Sequence, residues 1–265
     1  ARELRLDELV LALPGTAPEQ GRIRGSLAVA PGRQLQLAGA ELPEVRAQLA
    51  FEALDLAGFA AGLPPTALDG HLDVDRDRFM LALAQSEARL RDLVPAATRM
   101  PPGDAEVRVH GRLDAAALHL AEARLRLGDT RLEASGEATL AEPYRINDKG
   151  TVARLRPGQW LPEALAADPR LRDGVLNGTW TIAGRVAPGF DSVVSLELAD
   201  STLAGKPLSA RVRSRVALAQ SGAPRRVEEA DGQIRLGDNR LRVRGGLGQP
   251  ADRLAIELAL ADLAE

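Results

Sequence analysis

Histidine and carboxylate side chains are the residues of this chain whose types could support metal binding or acid–base chemistry. His71 lies two positions from Asp69 and from Asp73, so an extended strand would place all three on one face. A protein metal site needs three or four such ligands, and no second histidine lies near His71 in sequence. His110 and His119 have no carboxylate two positions away on either side. The pattern favours polar strand faces over a metal site.

An acidic run begins with the spacing of a calcium-binding loop. Asp73, Asp75 and Asp77 match the first three ligand positions of an EF-hand. The sixth position of that loop requires glycine and the twelfth requires glutamate, where this chain has Arg78 and Ala84. The run is better explained as the polar side of a strand.

Motifs for nucleophilic or phosphate chemistry are missing from the sequence. The chain has no cysteine, no G-x-S-x-G and no P-loop, and "GGLGQP" at residues 245–250 has the composition of a turn between strands. Scattered Asp and Glu residues could in principle form a catalytic pair, but no pair is marked out by its spacing. We therefore predict a protein that is not an enzyme, with no cofactor and no metal.

Composition excludes several other classes of protein. The 265 residues are 45% apolar, which predicts a folded chain. Lys and Arg number 34 against 37 Asp and Glu, for a net charge of −3, and aromatic residues make up only 3%. Nucleic-acid binding is therefore not expected. No window approaches 18 consecutive apolar residues, so we predict no membrane span in this stretch.

Apolar and polar residues alternate with a period of two over much of the chain. Examples are Val107 and Val109, Ile234 and Leu236, and "RLAIELAL" at residues 253–260. Leu, Ala, Arg and Glu favour helices, but this alternation would scatter apolar groups around a helix and collects them on one side of a strand. With turn residues every 8 to 12 positions or so, the pattern predicts an all-β antiparallel meander.

Two segments interrupt the alternation. "GFAAGLPPTALDG" at residues 58–70 and "PGQWLPEALAADPRLRDG" at residues 157–174 are rich in Ala and Leu and end at Pro or Gly. We predict one or two short helices there. Trp160 and Trp180 are interpreted as local core residues.

Landmarks recur at nearly one offset. "RLRLGDTRLEASG" at residues 124–136 resembles "QIRLGDNRLRVRG" at residues 233–245, 109 positions later. "LDG" ending at Gly70 and "LNG" ending at Gly178 lie 108 positions apart. We predict a single elongated fragment of a longer chain, residues 1–265, with internal units at about 25–135 and 136–245.

The order of these motifs resembles a known family. "TALDGHLDV", "QWLPEALAADPRLRDGVLNG", "LNGTWTIAGRV" and "DGQIRLGDNRLRVRGGLGQPADRLAIELALADL" are similar to the TamB branch of the AsmA-like proteins of Gram-negative envelopes. The resemblance implies a β-sheet bent into a U-shaped, lipid-binding groove, periplasmic and anchored in the inner membrane by a region outside this stretch. It further implies the outer-membrane barrel protein TamA as a partner, also through a region outside this stretch.

A one-sided aliphatic sheet must be covered, closed or filled by a ligand. We predict that the apolar alternates line a groove for phospholipid acyl chains. The alternative fold is a β-sandwich or solenoid with a closed core. The predicted lipid-facing residues are Val107, Val109, Leu125, Leu127, Leu132, Val194, Leu196, Leu198, Ile234, Leu236, Leu241, Val243, Leu254, Ile256 and Leu258.

Two further questions stay open from the sequence. The charged alternates Arg124, Arg126, Arg235, Arg242 and Arg244 are expected on the outer face, either solvated or paired with phosphate headgroups. The predicted function is phospholipid transport between the inner and outer membranes. The alternative is a scaffold that guides outer-membrane β-strands towards TamA by strand addition.

Overall fold

The computed structural model describes residues 3–12, 21–37, 40–54, 68–86, 102–159, 173–187, 189–218, 226–248 and 251–261. Apart from one 3-10 turn at Pro157–Gln159, every regular element in these residues is a β-strand. The chain divides into two compact units, Ala1–Asp129 and Thr130–Glu265, here called unit 1 and unit 2. The prediction of an all-β antiparallel meander is confirmed.

Unit 1 contains seven strands, each paired antiparallel with the next along the chain. They are β1 (Leu4–Ala12), β2 (Arg22–Leu37), β3 (Ala40–Leu54), β4 (Leu68–Asp75), β5 (Arg78–Gln85), β6 (Ala105–Leu113) and β7 (Ala117–Leu127). Such pairing needs only short connections, and β4 joins β5 through the two-residue turn Arg76–Asp77.

Unit 2 contains eight strands with the same connectivity. They are β8 (Thr130–Thr139), β9 (Tyr144–Leu155), β10 (Leu176–Ala187), β11 (Phe190–Leu203), β12 (Lys206–Leu218), β13 (Arg226–Leu236), β14 (Asn239–Leu247) and β15 (Leu254–Ala259). Ala204 and Gly205 join β11 to β12 with φ of 52° and 71°, the backbone of a type I′ turn.

A β-bulge with the same construction stands at both "L-[DN]-G" landmarks. In unit 1, Ala53 lies in the bulge opposite Asp69, with φ 47°, and its N–H donates to Asp69 Oδ1 at 2.8 Å. In unit 2, Arg154 lies opposite Asn177, with φ 57°, and its N–H donates to Asn177 Oδ1 at 2.8 Å. This shared geometry supports the predicted duplication, which stays a prediction.

The two predicted helical segments fall mostly outside the described residues. Residues 55–67 and 160–172, Trp160 among them, are not described. The end of the first segment differs from the prediction, because β4 already begins at Leu68. Leu68 pairs with Leu54 across the bulge, so strand pairing extends up to this point.

The buried core of the described residues is small. Buried apolar side chains in unit 1 include Ile23, Leu54 and Leu127, and in unit 2 Leu208 and Ala210. In each unit the strands in substantial contact are sequence neighbours. The described strands of a unit therefore form one layer, without the second sheet that the sandwich alternative requires.

Candidate functional site

Apolar side chains of unit 2 are aligned across all eight strands. Directly opposite residues of antiparallel strands point to the same face, so the pairing register defines rows that cross the sheet. The Leu198 row consists of Leu132, Val152, Gly178, Leu198, Ala210, Ile234, Leu241 and Leu258. The Leu196 row consists of Ala134, Gly150, Trp180, Leu196, Val212, Gly232, Val243 and Ile256. Neither row contains a charged residue, and together they define the apolar face of unit 2.

Unit 1 has an apolar face built in the same way. One row consists of Leu9, Gly25, Leu49, Leu72, Leu81, Val109 and Ala123. The row beside it consists of Leu11, Ile23, Phe51, Gly70, Leu83, Val107 and Leu125. Both rows cross all seven strands without a charge.

The opposite face of each sheet is polar and carries most of the ion pairs. In unit 2, Arg215 forms two hydrogen bonds to Asp191, of 2.8 and 3.0 Å, and this guanidinium lowers the pKa of the Asp191 carboxyl. In unit 1, Arg126 Nη2 lies 2.5 Å from Glu106 Oε1. These cross-strand pairs are accessible to solvent, so each contributes little stability. Opposite charges on neighbouring strands nevertheless help to set the register.

The apolar faces are only partly covered by described residues. Leu196, in the middle of unit 2, has 37% of its surface exposed, and on β15 Ile256 and Leu258 have 62% and 61% exposed. Most other members of the two rows are half-buried, chiefly by their neighbours within the sheet. An aliphatic strip that stays accessible across several strands is typical of a surface that binds an apolar partner.

All fifteen predicted lipid-facing residues lie on the apolar faces. Val107, Val109, Leu125 and Leu127 belong to unit 1, and the remaining eleven belong to unit 2. Leu127 and Leu236 are two residues along their strands from row members, so they point the same way. Contact of these side chains with lipid stays a prediction.

Sequence reasoning missed the apolar face of β1 to β5. Leu49, Leu72 and Leu81 are opposite one another there and continue the row of Val109. Alternation is weaker in this region because Met80 and Ala82 are also apolar but lie on the polar face. Aligning these strands on the turn at Arg76–Asp77 would have found the row.

Trp180 is the aromatic member of the apolar face of unit 2. Its indole lies over Gly150 of β9, where a Cβ atom would collide with the ring. The indole Nε1 donates to Asp148 Oδ2 at 3.1 Å. The indole of Trp180 therefore fills the space beside Gly150 that a side chain would otherwise occupy. This agrees with the interpretation of Trp180 as a local packing residue.

Histidine and carboxylate side chains that were considered as metal ligands contact other protein groups. Asp69 accepts the N–H of Ala53, and His119 Nε2 lies 2.7 Å from Asp114 Oδ2. His110 Nδ1 lies 3.6 Å from Glu122 Oε2. Within the described ranges, no group of three His, Asp or Glu side chains is placed to hold a metal ion.

The fold and the two faces define an all-β protein of antiparallel meanders, mainly aliphatic on one side of each sheet and charged on the other, with Asp148 on the apolar side of unit 2 as the partner of Trp180. No protein-family model, curated protein or solved structure matches the chain. In the part of the chain that the structure describes, no helix has the length and apolar character to cross a membrane.

Proposed function

We propose that the chain is a non-enzymatic segment of a TamB-like protein whose apolar faces bind phospholipid acyl chains. The observation that carries this proposal is the pair of uncharged rows across each unit, with Leu196 and Ile256 still accessible at 37% and 62%. Aliphatic walls offer few directional contacts, so they suit a chain of methylenes better than a polar ligand.

The size of each face suits an acyl chain. Eight strands about 4.8 Å apart give an aliphatic strip of roughly 34 Å across unit 2. One acyl chain spans about half of the roughly 30 Å hydrocarbon core of a bilayer. A single unit is therefore wide enough for an extended chain.

The energetics suit transfer better than storage. Each methylene that leaves water for an apolar wall gains about 0.8 kcal/mol, so a chain of about 16 carbons gains on the order of 12 kcal/mol. Between a bilayer and an aliphatic sheet the difference is close to zero. The proposed role is the passage of phospholipid between the inner and outer membranes across the periplasm, along a sheet bent into a U-shaped groove.

Photo-crosslinking from two neighbouring positions on β11 tests the proposal. Leu196 points to the apolar face and Ser195 to the polar face. With a photoreactive residue at Leu196, mass spectrometry of the purified chain should find phospholipid adducts, and the matched position Ser195 should give few. A second apolar position, Leu125, should behave as Leu196 does. Equal lipid labelling at Leu196 and Ser195, or none at either, would contradict the proposal.

The exposure of β15 favours a second candidate function. Every described residue of this strand is exposed, and β14 is its only strand partner among the described residues. Such an edge can pair with an added strand, as expected of a scaffold that guides outer-membrane β-strands towards TamA. In the same crosslinking experiment, peptide adducts at Leu196 would favour this function over lipid transport.

A further inference from the structure

A depression of about 700 Å³ lies on the polar face of unit 2, over β11 to β15. Its charged lining consists of Arg211, Arg235, Arg240, Arg242, Glu197 and Glu257. The side chains of Ile234 and Leu241 point to the apolar face on the other side of the sheet, so these residues contribute backbone to the floor. The volume is in the usual range for small-molecule sites.

Positive charges oppose one another inside this depression. Arg235 of β13 is directly opposite Arg240 of β14, and Arg242 lies on the same face one pleat further along. Like charges in directly opposite positions destabilise a sheet. Four arginines face two glutamates in the lining, so the depression has an excess of two positive charges.

The arginines differ in how well they are neutralised. Arg211 Nη2 lies 2.6 Å from Glu197 Oε1. Arg235 Nε donates to the carbonyl oxygen of Gly237 at 3.1 Å, and its Nη2 lies 3.9 Å from Asp238 Oδ1. Arg240 has no ion pair with a described residue. The Nε atom of Arg242 is buried and has no hydrogen-bond partner among the described residues.

The missing component of this arrangement is an anionic acceptor. Glu257 is opposite Arg242 in the register but forms no ion pair with it, and β15 is fully exposed. Arg240 and Arg242 have no ion pair with a described residue, and a planar guanidinium matches two oxygens of a phosphate. An anion between Arg240 and Arg242 would neutralise these two guanidinium groups and relieve the repulsion with Arg235.

We propose that the depression is a binding site for a phosphate group, held mainly by Arg240 and Arg242. The phosphate belongs either to a soluble phosphate compound or to a phospholipid headgroup, since both present the same oxygens. The site lies on the opposite side of the sheet from the apolar rows, so it does not depend on the proposed lipid transport.

Titration calorimetry on the full 265-residue chain at low ionic strength tests the site, with sodium pyrophosphate as the soluble probe. Arg240→Gln and Arg242→Gln should each weaken binding by about tenfold or more, because each removes a charged donor to phosphate. Arg242→Lys should bind better than Arg242→Gln because it keeps the positive charge. It should bind more weakly than the parent chain because it loses the two parallel N–H donors of the guanidinium. In a second arm, phosphatidylcholine vesicles with and without phosphatidylglycerol replace pyrophosphate.

Arg213→Gln is the matched control, because Arg213 is exposed on the same face of β12 outside the depression. The site is supported if the Gln variants lose binding to either probe while Arg213→Gln keeps it, and the responding probe identifies the source of the phosphate. Thermal unfolding with pyrophosphate provides a second readout, in which the midpoint should rise by about 2 °C or more for the parent chain and for Arg213→Gln, but not for Arg240→Gln or Arg242→Gln. The proposal would be overturned if the parent chain bound neither probe, or if Arg213→Gln weakened binding as much as the Gln variants of Arg240 and Arg242. Leu196→Asp should retain phosphate binding, which separates this test from that of the apolar face.

Discussion

Asp114 collects three donors at the turn between β6 and β7. Its Oδ1 accepts the N–H groups of Ala116 and Ala117, each at 2.9 Å, and its Oδ2 lies 2.7 Å from His119 Nε2. The hydrogen bond from Ala116, followed by those of His119 and Ala117, lowers the pKa of Asp114 from 3.8 to about 2. All of these interactions favour the ionised carboxylate, so this turn is stabilised by a charge.

The pH dependence of stability tests this turn. The pKa of Asp114 is lower in the folded chain than its ordinary value of 3.8, so its contribution is complete above that pH and disappears as the pH falls towards 2. Asp114→Ala should therefore lower the midpoint of thermal unfolding at neutral pH, with a difference from the parent chain that shrinks between these two values. Glu8→Ala, which removes an exposed carboxylate of β1, is the control. A difference that stayed constant down to pH 2 would rule out this role.

The indole of Trp180 leaves no room for a side chain at Gly150. A Cβ atom at this position would meet the indole of Trp180, which also needs its hydrogen bond to Asp148. Gly150→Val should therefore displace the indole and destabilise the chain by about 1–3 kcal/mol. The measurement is urea unfolding followed by tryptophan fluorescence in a Trp160→Phe background. Thr151→Val, on the exposed polar face next to Gly150, should leave both emission and stability nearly unchanged.

At the scale of elements, the bulges opposite Asp69 and Asn177 determine how β3 and β9 continue. Each bulge places a non-glycine residue at positive φ, which is sterically costly, and the hydrogen bond from its N–H to the side chain opposite offsets part of that cost. Asn177 also donates from Nδ2 to the carbonyl oxygen of Asp200 at 2.6 Å, so it connects three strands of unit 2.

Removal of these side chains should destabilise both bulges. Asp69→Ala and Asn177→Ala should each cost about 1–3 kcal/mol, because a backbone N–H loses its acceptor. Asp69→Asn keeps Oδ1 and should cost less, whereas Asn177→Asp keeps Oδ1 but loses the Nδ2 donor to Asp200 and should cost as much as Asn177→Ala. Denaturant unfolding of the four variants measures these differences. If Asp69→Ala were as stable as Asp69→Asn, the side-chain bond would have no part in holding the bulge of unit 1.

At the scale of the whole molecule, the apolar faces should be sensitive to charge at a single position. Leu196→Asp would place a carboxylate in the middle of an aliphatic row, and a charge desolvated against hydrocarbon costs several kcal/mol. We expect it to reduce the phospholipid recovered with the purified chain by about tenfold or more.

Ser195→Asp adds the same charge to the polar face of the same strand and should not change the recovered lipid. Lipid extraction with mass spectrometry compares the two variants at equal protein. Equal lipid recovery from the two variants would remove the main support for acyl-chain binding.

Much of the fold was predictable from local patterns. Val107, Val109, Leu241 and Val243 share the faces that alternation assigns to them, because successive side chains of a strand point to opposite sides. The short hairpins were recognisable from their turns, as with Gly237 and Asp238 between β13 and β14. Helical propensity of Leu, Ala and Arg was overruled where pairing with a neighbouring strand satisfied the backbone.

The residues that lie opposite one another on neighbouring strands were less predictable than the strands themselves. Alternation cannot tell which residue lies opposite Leu198, because that depends on turn length and on bulges such as the one at Ala199–Asp200. Arg235 and Arg240 could be placed opposite each other from their hairpin. The burial of Arg242 Nε without a hydrogen-bond partner among the described residues could not be anticipated, since burial of one atom depends on side chains from several strands.

The face of each side chain and the all-β class follow from residue order, since the two-residue period of a strand is a local property of the backbone. The register that joins separate residues into rows across eight strands is a collective property. It requires the backbone hydrogen bonds of every strand pair at once, so only the folded chain decides that Leu132 and Leu258 belong to one row.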